Sequence, residues 1–506
     1  MTSRIAPTAD VLVIGAGPTG LLLAGDLAAA GVRVVLLERR ARESNLTRAF
    51  AVHARTLEML DARSVAEELL ATGVFISSAR LFGKVRLDLS GLPGRFPGVL
   101  MTPQYETERV LEARAVKLGA EIRRGAEVVG LRQDADGVDV DVRTRAAGEP
   151  SGDAPDDGGT ATLRARYVVG ADGVHSTVRQ TLGIPFPGKS VLRSVMLADV
   201  RLAAPPRETP AFNSVAEGFS LVLPFGDGWY RIIAWERGSD LPADAPVELE
   251  DLRAVTRAVF GTDFGAHDAR WTSRFHSDER QVPRYRAGRV FLAGDAAHVH
   301  SPAGGMGMNA GMQDAANLGW KLAAVLAGRA DDALLDTYQD ERHPVGALVL
   351  RLSGAILRMA LTGSTVVRGL RRGAAVVIQH VPRVARRPAL LVSGLGIRYP
   401  APPGAHPLTG TRAPDLPLVE VPDGPTRLYE ALRAGRYVRV LPRGAAPRDP
   451  VGEREPDVIT VMRTDARQES LLVRPDGYVA WASDDAGTGA VPMPMPTVGA
   501  VPLSQV

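Results

Sequence analysis

A glycine-rich turn near the start of the chain constrains the fold more than any other feature. Gly15, Gly17 and Gly20 form a Gly-x-Gly-x-x-Gly pattern between the short apolar run DVLVIG and an apolar helical pattern. A second apolar run, VRVVLLE at residues 32–38, follows directly. A buried strand, a glycine turn, a helix and a second strand make a β-α-β unit, so we predict an α/β domain with a parallel sheet.

The three glycines have separate tasks in such a unit. The first permits the tight turn, the second lets a pyrophosphate approach the backbone, and the third lets helix and strand pack closely. Backbone amides at the helix N-terminus then face the phosphates. Glu38 ends the second strand 18 residues after Gly20, where an acidic side chain binds ribose hydroxyls. The pattern predicts a dinucleotide site that includes Gly15, Gly17, Pro18, Thr19, Gly20 and Glu38.

Composition excludes several other classes of protein. The chain has 506 residues, which suggests two to four domains, and it contains no cysteine. Disulfides, thiolate nucleophiles and cysteine-ligated clusters are therefore excluded. The net charge of +3 argues against a nucleic-acid-binding protein. There is no apolar run of about 18 residues and no signal-peptide pattern, so we expect a cytoplasmic protein with no membrane partner.

Two aspartates follow buried-strand patterns further along the chain. Asp172 comes after RARYVVGA, and Asp295 comes after RVFLAG. Ligands of α/β sheets bind at the carboxyl ends of the strands, so both aspartates are expected at the ligand-binding edge. The glycine-rich loop SPAGGMGMNAG follows Asp295 and leads into an apolar helix predicted over residues 310–327.

The character of the chain changes near residue 185. Alternating segments such as SLVLPF and WYRIIAWER predict an antiparallel sheet between residues 185 and 285. Residues 332–390 are predicted to be helical, and the Pro- and Gly-rich stretch 399–426 is predicted to be a linker. Four short strand patterns then indicate a last small domain, and a tail from residue 486 is predicted to be disordered.

Three motifs thus follow one another along the chain, namely the glycine turn at residues 15–20, the strand that leads to Asp172 and the strand that leads to Asp295. In this order they resemble the motifs of the FAD-dependent monooxygenases of the para-hydroxybenzoate hydroxylase type. The string GDAAHVHSPAGGMGMNAGMQDAANLGWKL is especially similar to the branch that hydroxylates aromatic polyketides in antibiotic biosynthesis. RPDGYVAW, residues 474–481, resembles the same branch. The resemblance implies an α/β architecture with a Rossmann-like FAD domain, a β-sheet substrate domain and a C-terminal thioredoxin-like domain without cysteines.

The expected domain limits combine this resemblance with the strand patterns. The FAD-binding domain is discontinuous, and parts of residues 70–105 are expected to contribute to the substrate domain. The limits are 1–184 and 286–395 for the FAD-binding domain, 185–285 for the substrate-binding antiparallel sheet, 396–485 for the thioredoxin-like domain, and 486–506 for the disordered tail.

The resemblance also implies roles for individual residues. The three glycines would hold the FAD pyrophosphate, Glu38 the adenosine ribose and Asp295 the ribityl chain. Pro302 and residues 305–309 would form the loop beside the flavin ring. Met306 departs from the family pattern, in which a glutamine often stands there. The remaining implied cofactor contacts are Arg39, Arg48, Gln104, Asp172, Gly305, Met306, Gly307, Met308 and Asn309.

The implied reaction is a hydroxylation that uses FAD, O2 and either NADPH or NADH. Oxygen would add at flavin C4a, and the resulting hydroperoxide would transfer its distal oxygen to a ring carbon of a polycyclic aromatic polyketide. No second glycine turn follows a strand, so the nicotinamide nucleotide is expected to dock transiently. Two alternatives stay open, namely a Baeyer–Villiger insertion beside a ketone and a non-catalytic flavin-binding partner protein.

Several side chains allow both a functional and a packing interpretation. His53 is a weak candidate for a catalytic role beside the flavin, and no other residue is assigned one. Trp229, Tyr230 and Trp235 are candidates for stacking on an aromatic substrate, with core packing as the alternative. The histidines that follow Asp295 lack companion carboxylates at metal spacing, so we expect no metal site.

Overall fold

The computed structural model describes residues 8–42, 49–81, 85–144, 159–361, 382–445 and 458–484. The α-helices in these ranges are α1 Pro18–Ala29, α2 Ala54–Asp61, α3 Ala66–Leu70, α4 Gln104–Lys117, α5 Thr177–Thr181, α6 Leu249–Phe260, α7 Gly307–Leu326, α8 Thr337–Leu361, α9 Pro382–Val392 and α10 Leu428–Ala431. Short 3-10 helices span Gly294–Ala296, Asp332–Asp336 and Leu432–Ala434. None of the described helices is both long and apolar enough to cross a lipid bilayer.

The first sheet has a parallel centre, as the glycine motif predicts. Two neighbouring strands of this centre, Ala9–Ile14 and Val34–Glu38, are almost entirely buried, as their apolar sequences predict. Ala126–Gln133 and Val138–Thr144 add a hairpin at Asp134–Gly137, where a turn-forming Asp-Ala-Asp-Gly sequence separates two segments of alternating residues. The remaining order of the sheet is Arg286–Ala287, Val290–Leu292, Thr160–Gly170, Ala9–Ile14, Val34–Glu38 and Glu121–Arg124, with only the first pair antiparallel.

The second sheet is the antiparallel one expected between residues 185 and 285. It also takes two strands from residues 78–88 and a short one at residues 298–299. Its strand order is His298–Val299, Ala266–Gln281, Gly188–Leu202, Tyr230–Glu236, Gly218–Pro224, Ala211–Ser214, Ser78–Leu81 and Val85–Asp88.

The two faces of this sheet have different surroundings. One face packs beneath α6 through residues such as Val200, Ile232 and Leu252. The opposite face packs toward the first domain, because its cluster of side chains includes Phe50, Ala51 and the partly buried Ala303. A small three-stranded sheet joins the two regions through Ala51–His53, Val99–Met101 and Val74–Ile76.

The C-terminal domain contains a mixed four-stranded sheet. Its strand order is Val458–Met462, Tyr437–Leu441, Ser470–Val473 and Val479–Ser483, with the first pair parallel and the others antiparallel. The predicted tail of residues 486–506 lies outside the described residues.

The linker prediction for residues 399–426 is wrong. Ala413, Leu416 and Leu418 are buried in the core of the C-terminal domain. Single β-bridges join Arg412 to Tyr478 and Leu418 to residue 463 of the same domain. Prolines and glycines keep this stretch from forming regular strands, but its apolar side chains still contribute to the core.

Candidate functional site

Of the three glycines in the turn, only Gly17 has open space where a Cβ atom would be. Gly15 has φ +103°, and a Cβ atom there would lie 2.5 Å from the Ala171 carbonyl oxygen. A Cβ atom on Gly20 would overlap the Gly15 carbonyl oxygen, whereas one on Gly17 would meet no atom within 4 Å. Pro18 opens α1 and no side chain caps the helix, so its first amides face this open space.

The three sequence motifs meet around this turn. The Cβ position of Gly15 lies 3.0 Å from the Asp172 Cα atom. A Cβ atom on Gly294 would lie 2.7 Å from the Thr19 hydroxyl oxygen of α1. The buried side chain of Arg179 connects the motif at Asp172 with the motif at Asp295. It donates hydrogen bonds to the Val174 carbonyl at 2.8 Å and to the Ala296 carbonyl at 3.1 Å.

Glu38 is buried and already has partners. It accepts hydrogen bonds from the Ala16 amide at 2.8 Å and from the Arg40 amide and Nε at 2.9 and 2.8 Å. Burial alone would raise the pKa of the Glu38 carboxyl, but these hydrogen bonds outweigh it and hold the pKa below its ordinary value. The ionised carboxylate ties the glycine turn to the second strand, and its contact with a ribose stays a prediction.

The two motif aspartates differ in their surroundings. Asp172 is half-buried, and its Oδ2 accepts a hydrogen bond from the Val178 amide at 3.2 Å. Its Oδ1 is buried without a partner among the described residues, and burial raises the pKa of the carboxyl. Asp295 is exposed in the short 3-10 helix at the edge of the first sheet. The Asp295 carboxylate is therefore accessible at this edge, and its contact with a ribityl chain stays a prediction.

The loop of residues 302–309 reaches α7, whose N-terminus has no side-chain cap. Its free amides and positive dipole end favour a negative charge there. Gly307 packs on the His300 ring, since a Cβ atom at Gly307 would lie 3.1 Å from His300 Nε2. Pro302, Gly305 and Met308 are partly buried along this segment.

Two side chains of this loop contact other parts of the protein. Met306 is buried in an apolar cluster with residues of α8 and the C-terminal domain. The Asn309 side chain donates to the Ala51 and Gly305 carbonyls, both at 2.8 Å, and accepts from the His53 amide at 2.8 Å. These contacts use the hydrogen-bonding groups of the Asn309 side chain within the protein, and contacts of Met306 and Asn309 with a cofactor stay predictions.

Three further residues are predicted to contact the cofactor, namely Gln104, Arg39 and Arg48. Gln104 begins α4, accepts a hydrogen bond from the Ala49 amide at 3.2 Å and donates to Glu108 at 2.7 Å. Arg39 is exposed at the end of the second strand. Arg48 lies outside the described residues. Direct contacts of these three residues with a cofactor stay predictions.

His53 is buried between the Asn309 side chain and α9. Its Nδ1 lies 2.7 Å from the Val392 carbonyl oxygen. Burial lowers the pKa of His53 to about 4, so the ring is neutral at physiological pH. Neutral His53 with Nδ1–H donating to Val392 is the state that this geometry favours, and a charged acid–base role near pH 7 is not supported.

The three aromatic candidates for substrate contact separate in the structure. Trp229 lies on the sheet face that packs toward the first domain, and the Arg270 guanidinium lies 4.4 Å from its ring centroid. Tyr230 lies on the opposite face, beneath α6. Trp235 is buried, stacks on Phe219 and donates to a backbone carbonyl at 3.0 Å. Only Trp229 thus combines partial exposure with the face toward the cofactor domain.

Sequence reasoning missed a buried polar stripe on α7. Asp314, Asn317 and Lys321 are fully buried at helical spacing in an otherwise apolar helix. Asp314 bonds to Arg342 of α8, and Lys321 Nζ lies 2.8 Å from Glu341. Polar residues at positions i, i+3 and i+7 of an apolar helix are the sequence signal that would have indicated this stripe. In the described ranges, no group of three or more His, Asp or Glu residues is arranged to hold a metal ion.

Family models match both parts of this architecture. A model for the FAD binding domain matches residues 8–353, and a model for the C-terminal part of aromatic-ring hydroxylases matches residues 406–495. The chain belongs to the FAD-dependent aromatic-ring hydroxylases. This hydroxylase is therefore an FAD-dependent monooxygenase, with FAD as its cofactor and O2 as a co-substrate.

The hydroxylase is similar to other monooxygenases and hydroxylases over nearly its whole length. It is 40% identical to a 12-dehydrotetracycline 5-monooxygenase/anhydrotetracycline 6-monooxygenase of Streptomyces rimosus, over 95% of this chain and 96% of that protein. It is 39% identical to a rifampicin monooxygenase of Streptomyces venezuelae, over 94% of this chain and 96% of that protein. It matches CabE, an aromatic hydroxylase from angucycline biosynthesis, with a TM-score of 0.82 and 39% identity over 96% of this chain and 97% of CabE.

The residues present fit an FAD molecule. Gly17 leaves open space beside uncapped amides, as a pyrophosphate requires. Asp295 is exposed at the carboxyl edge of the sheet, as a contact to sugar hydroxyls requires. The uncapped N-terminus of α7 suits the pyrimidine side of the ring, where a reduced flavin carries negative charge.

Proposed function

We propose that this hydroxylase introduces a hydroxyl group into a polycyclic aromatic polyketide in antibiotic biosynthesis. In the balanced reaction, one oxygen atom of O2 enters a C–H bond of the ring and the other leaves as water. NADPH or NADH supplies two electrons and one proton as a hydride and becomes oxidised, and one proton from the solvent completes the water molecule. The observation that carries the proposal is the meeting of three motifs around the open space at Gly17, in a chain 40% identical to a 12-dehydrotetracycline 5-monooxygenase/anhydrotetracycline 6-monooxygenase.

FAD, when bound, supplies the activation of O2 and the transfer of one oxygen atom. Gly17 and the first amides of α1 would hold the pyrophosphate, and Asp295 would accept hydrogen bonds from the ribityl hydroxyls. The N-terminal amides of α7 would stabilise negative charge on the ring system. The protein thus positions charge and excludes water, and it needs no nucleophilic side chain.

The substrate would lie between the loop of residues 302–309 and the second sheet. The sheet face toward that loop carries Phe225 and Trp229 beside the partly buried Trp271. Flat apolar side chains favour a flat aromatic ligand. The same cluster includes Ala303 of the loop, so a ring on this face would be close to the cofactor.

The reductant and the location of the enzyme are further parts of the proposal. The sequence has a single glycine turn of the dinucleotide-binding kind after a strand, which supports transient docking of NADPH or NADH. A cytoplasmic location, where these nucleotides are available, fits the same proposal. The names of the relatives favour hydroxylation over Baeyer–Villiger insertion, because they describe monooxygenases and an aromatic hydroxylase.

Product analysis under labelled oxygen tests the proposal. The purified holoenzyme is supplied with NADPH or NADH, 18O2 and anhydrotetracycline as the first probe, followed by other polycyclic aromatic polyketides. We expect a product that carries one 18O atom as a ring hydroxyl, with one NAD(P)H consumed per product. A lactone or ester product would favour Baeyer–Villiger insertion, and a lack of NAD(P)H oxidation with every probe would reject catalysis of this kind.

A further inference from the structure

A chain of buried hydrogen bonds connects the turn at Asp295 with the C-terminal domain. It begins at Gly294, whose backbone amide donates to Asp314 Oδ2 at 3.1 Å. Asp314 of α7 is completely buried, and its Oδ1 accepts a hydrogen bond from Arg342 Nε of α8 at 2.7 Å. Arg342 is equally buried, and its Nη1 donates to the Tyr399 hydroxyl at 3.3 Å.

The Asp314 carboxylate also contacts the His298 side chain. His298 Nε2 lies 2.7 Å from Asp314 Oδ2, and the His298 ring stacks on Tyr285 with centroids 5.8 Å apart. Burial alone would raise the pKa of the Asp314 carboxyl, but its interactions with His298 and Arg342 outweigh burial and keep the pKa below its ordinary value. The carboxylate is therefore ionised, and Arg342 supplies the matching buried charge.

Two stacked rings connect Arg342 with the C-terminal domain. The ring centroids of Tyr399 and Tyr478 are 4.0 Å apart, and the planes make an angle of 25°. Tyr478 lies between the strands Ser470–Val473 and Val479–Ser483 of the C-terminal sheet. Its hydroxyl is buried and has no hydrogen-bond partner among the described residues, so Tyr399 alone of this pair bonds to Arg342.

Charged side chains fix the same domain to α7 and α8 close by. Arg474 donates to Glu341 of α8 at 2.6 and 2.9 Å. Glu341 Oε2 also accepts hydrogen bonds from Lys321 Nζ at 2.8 Å and from Asn317 at 2.6 Å. Asp476 accepts a further hydrogen bond from Asn317 at 3.3 Å. The C-terminal domain cannot shift along α8 without breaking ion pairs that are nearly buried.

We propose that Asp314, Arg342 and Tyr399 are positioning residues through which the C-terminal domain holds the Asp295 turn in place for the cofactor. Gly294 has φ +59°, and its amide is the donor that Asp314 accepts, so the backbone just before Asp295 is fixed from the protein side. The inference rests on the proposed contact between Asp295 and the ribityl chain. It gives a cysteine-free domain a task that requires no redox group.

The stacked tyrosines offer a matched pair of variants. Tyr399→Phe removes the hydroxyl that bonds to Arg342, whereas Tyr478→Phe removes a hydroxyl without a partner, and both keep the rings. The Kd for FAD is measured by titrating each apoprotein and following flavin fluorescence. We expect Kd to rise about threefold to tenfold for Tyr399→Phe and to change less than about twofold for Tyr478→Phe, because only the first variant breaks a hydrogen bond to a charged group.

A variant of Asp314 tests the middle of this series of hydrogen bonds in the apoprotein, without any cofactor. Asp314→Asn leaves the Arg342 charge unmatched and weakens the acceptor of the Gly294 amide. We expect hydrogen exchange of the backbone amides at residues 294–298 in the apoprotein to become about tenfold faster or more, while exchange in α6 stays unchanged. The Kd for FAD is expected to rise along with this exchange rate.

The outcomes separate this inference from the proposed function. Equal Kd values for Tyr399→Phe and Tyr478→Phe would overturn the positioning role, as would Asp314→Asn with lower thermal stability but unchanged exchange and Kd. If Asp314→Asn does not fold, the tyrosine pair decides alone. Wild-type apoprotein that fails to bind FAD would instead contradict the proposed function.

Discussion

Gly20 of α1 lies so close to Gly15 that a Cβ atom on Gly20 would overlap the Gly15 carbonyl oxygen. Gly17, only two residues after Gly15, has open space where its Cβ atom would be. One motif therefore contains a glycine needed for helix-on-strand packing and another needed for access by a ligand. The two requirements predict different consequences for alanine substitution.

Gly17→Ala is expected to weaken FAD binding without weakening the fold. Gly17 has φ −78°, which alanine adopts without strain, so the free energy of unfolding of the apoprotein should change by less than about 0.5 kcal/mol. The added methyl group would occupy the space of the pyrophosphate, and we expect Kd for FAD to rise about tenfold or more. Denaturant unfolding of the apoprotein and flavin fluorescence titration measure the two effects.

Gly20→Ala is the comparison variant, and unlike Gly17→Ala it is expected to weaken the fold of the apoprotein itself. Its methyl group would force α1 away from the first strand, at a cost of about 1–3 kcal/mol in the free energy of unfolding of the apoprotein. Normal FAD affinity in Gly17→Ala would show that the phosphates do not approach the backbone at this glycine.

Asp295→Ala should lower the affinity for FAD while the apoprotein keeps its stability. The carboxylate is exposed, and no hydrogen bond of this side chain to another described residue stabilises the fold. Hydrogen bonds from ribityl hydroxyls to a charged acceptor contribute roughly 1.5–3 kcal/mol, or about one to two decades in Kd. Asp244→Ala, at another exposed aspartate, serves as the control in the same FAD titration. An unchanged Kd in Asp295→Ala would place the ribityl chain elsewhere.

The sequence predicts those features that depend on neighbouring residues. The glycine turn, the buried parallel strands and the hairpin at Asp134–Gly137 follow from local patterns, and each is present. Helix α7 begins at Gly307 rather than near residue 310, because the loop glycines themselves enter the helix. Local spacing also places the antiparallel sheet, although not its two strands from residues 78–88.

Contacts between distant parts of the chain were beyond such patterns. Asn309 bonds to the Ala51 carbonyl and the His53 amide, more than 250 residues away in sequence. Nothing local distinguishes an asparagine that faces a cofactor from one that joins a helix to a strand. Arg342 and Tyr399 likewise come together only through the packing of the C-terminal domain on α8.

Burial of His53 is expected to lower the free energy of unfolding of the protein at acidic pH. Its folded-state pKa is about 4, below the ordinary value of 6.5, because the ring is buried. Between these pH values the unfolded chain binds a proton that the folded chain does not, so stability falls as pH falls through this window. Over the full window this group alone would cost roughly 3 kcal/mol in the free energy of unfolding.

His53→Gln keeps an amide donor for the Val392 carbonyl but has no proton to gain. The difference in unfolding free energy between the wild type and His53→Gln, measured by denaturant titration, should therefore move in favour of the variant from pH 6.5 to pH 4. The pH dependence of kcat/KM near neutrality should be the same for both proteins, since His53 is neutral there. A loss of one limb of that profile in His53→Gln would instead assign proton transfer to this histidine.

Trp229 and Tyr230 are neighbours in sequence but lie on opposite faces of the second sheet. The Trp229 ring shares its face with Ala303 of the cofactor loop, so Trp229→Leu should raise KM for the aromatic substrate. The Kd for FAD should stay unchanged, because the predicted FAD contacts lie on other elements. The size of the KM effect is expected to match the loss of one aromatic stacking contact, about 0.5–1.5 kcal/mol or roughly twofold to tenfold.

Tyr230→Leu provides the control from the other face. Its ring packs beneath α6, so this variant should lower the thermal stability and leave KM for the same substrate unchanged. Both variants are measured with the polyketide that gives turnover in the 18O2 experiment. If Tyr230→Leu raises KM as much as Trp229→Leu does, the effect reports general loosening of the sheet. An unchanged KM in Trp229→Leu would instead place the substrate away from the face that carries Trp229.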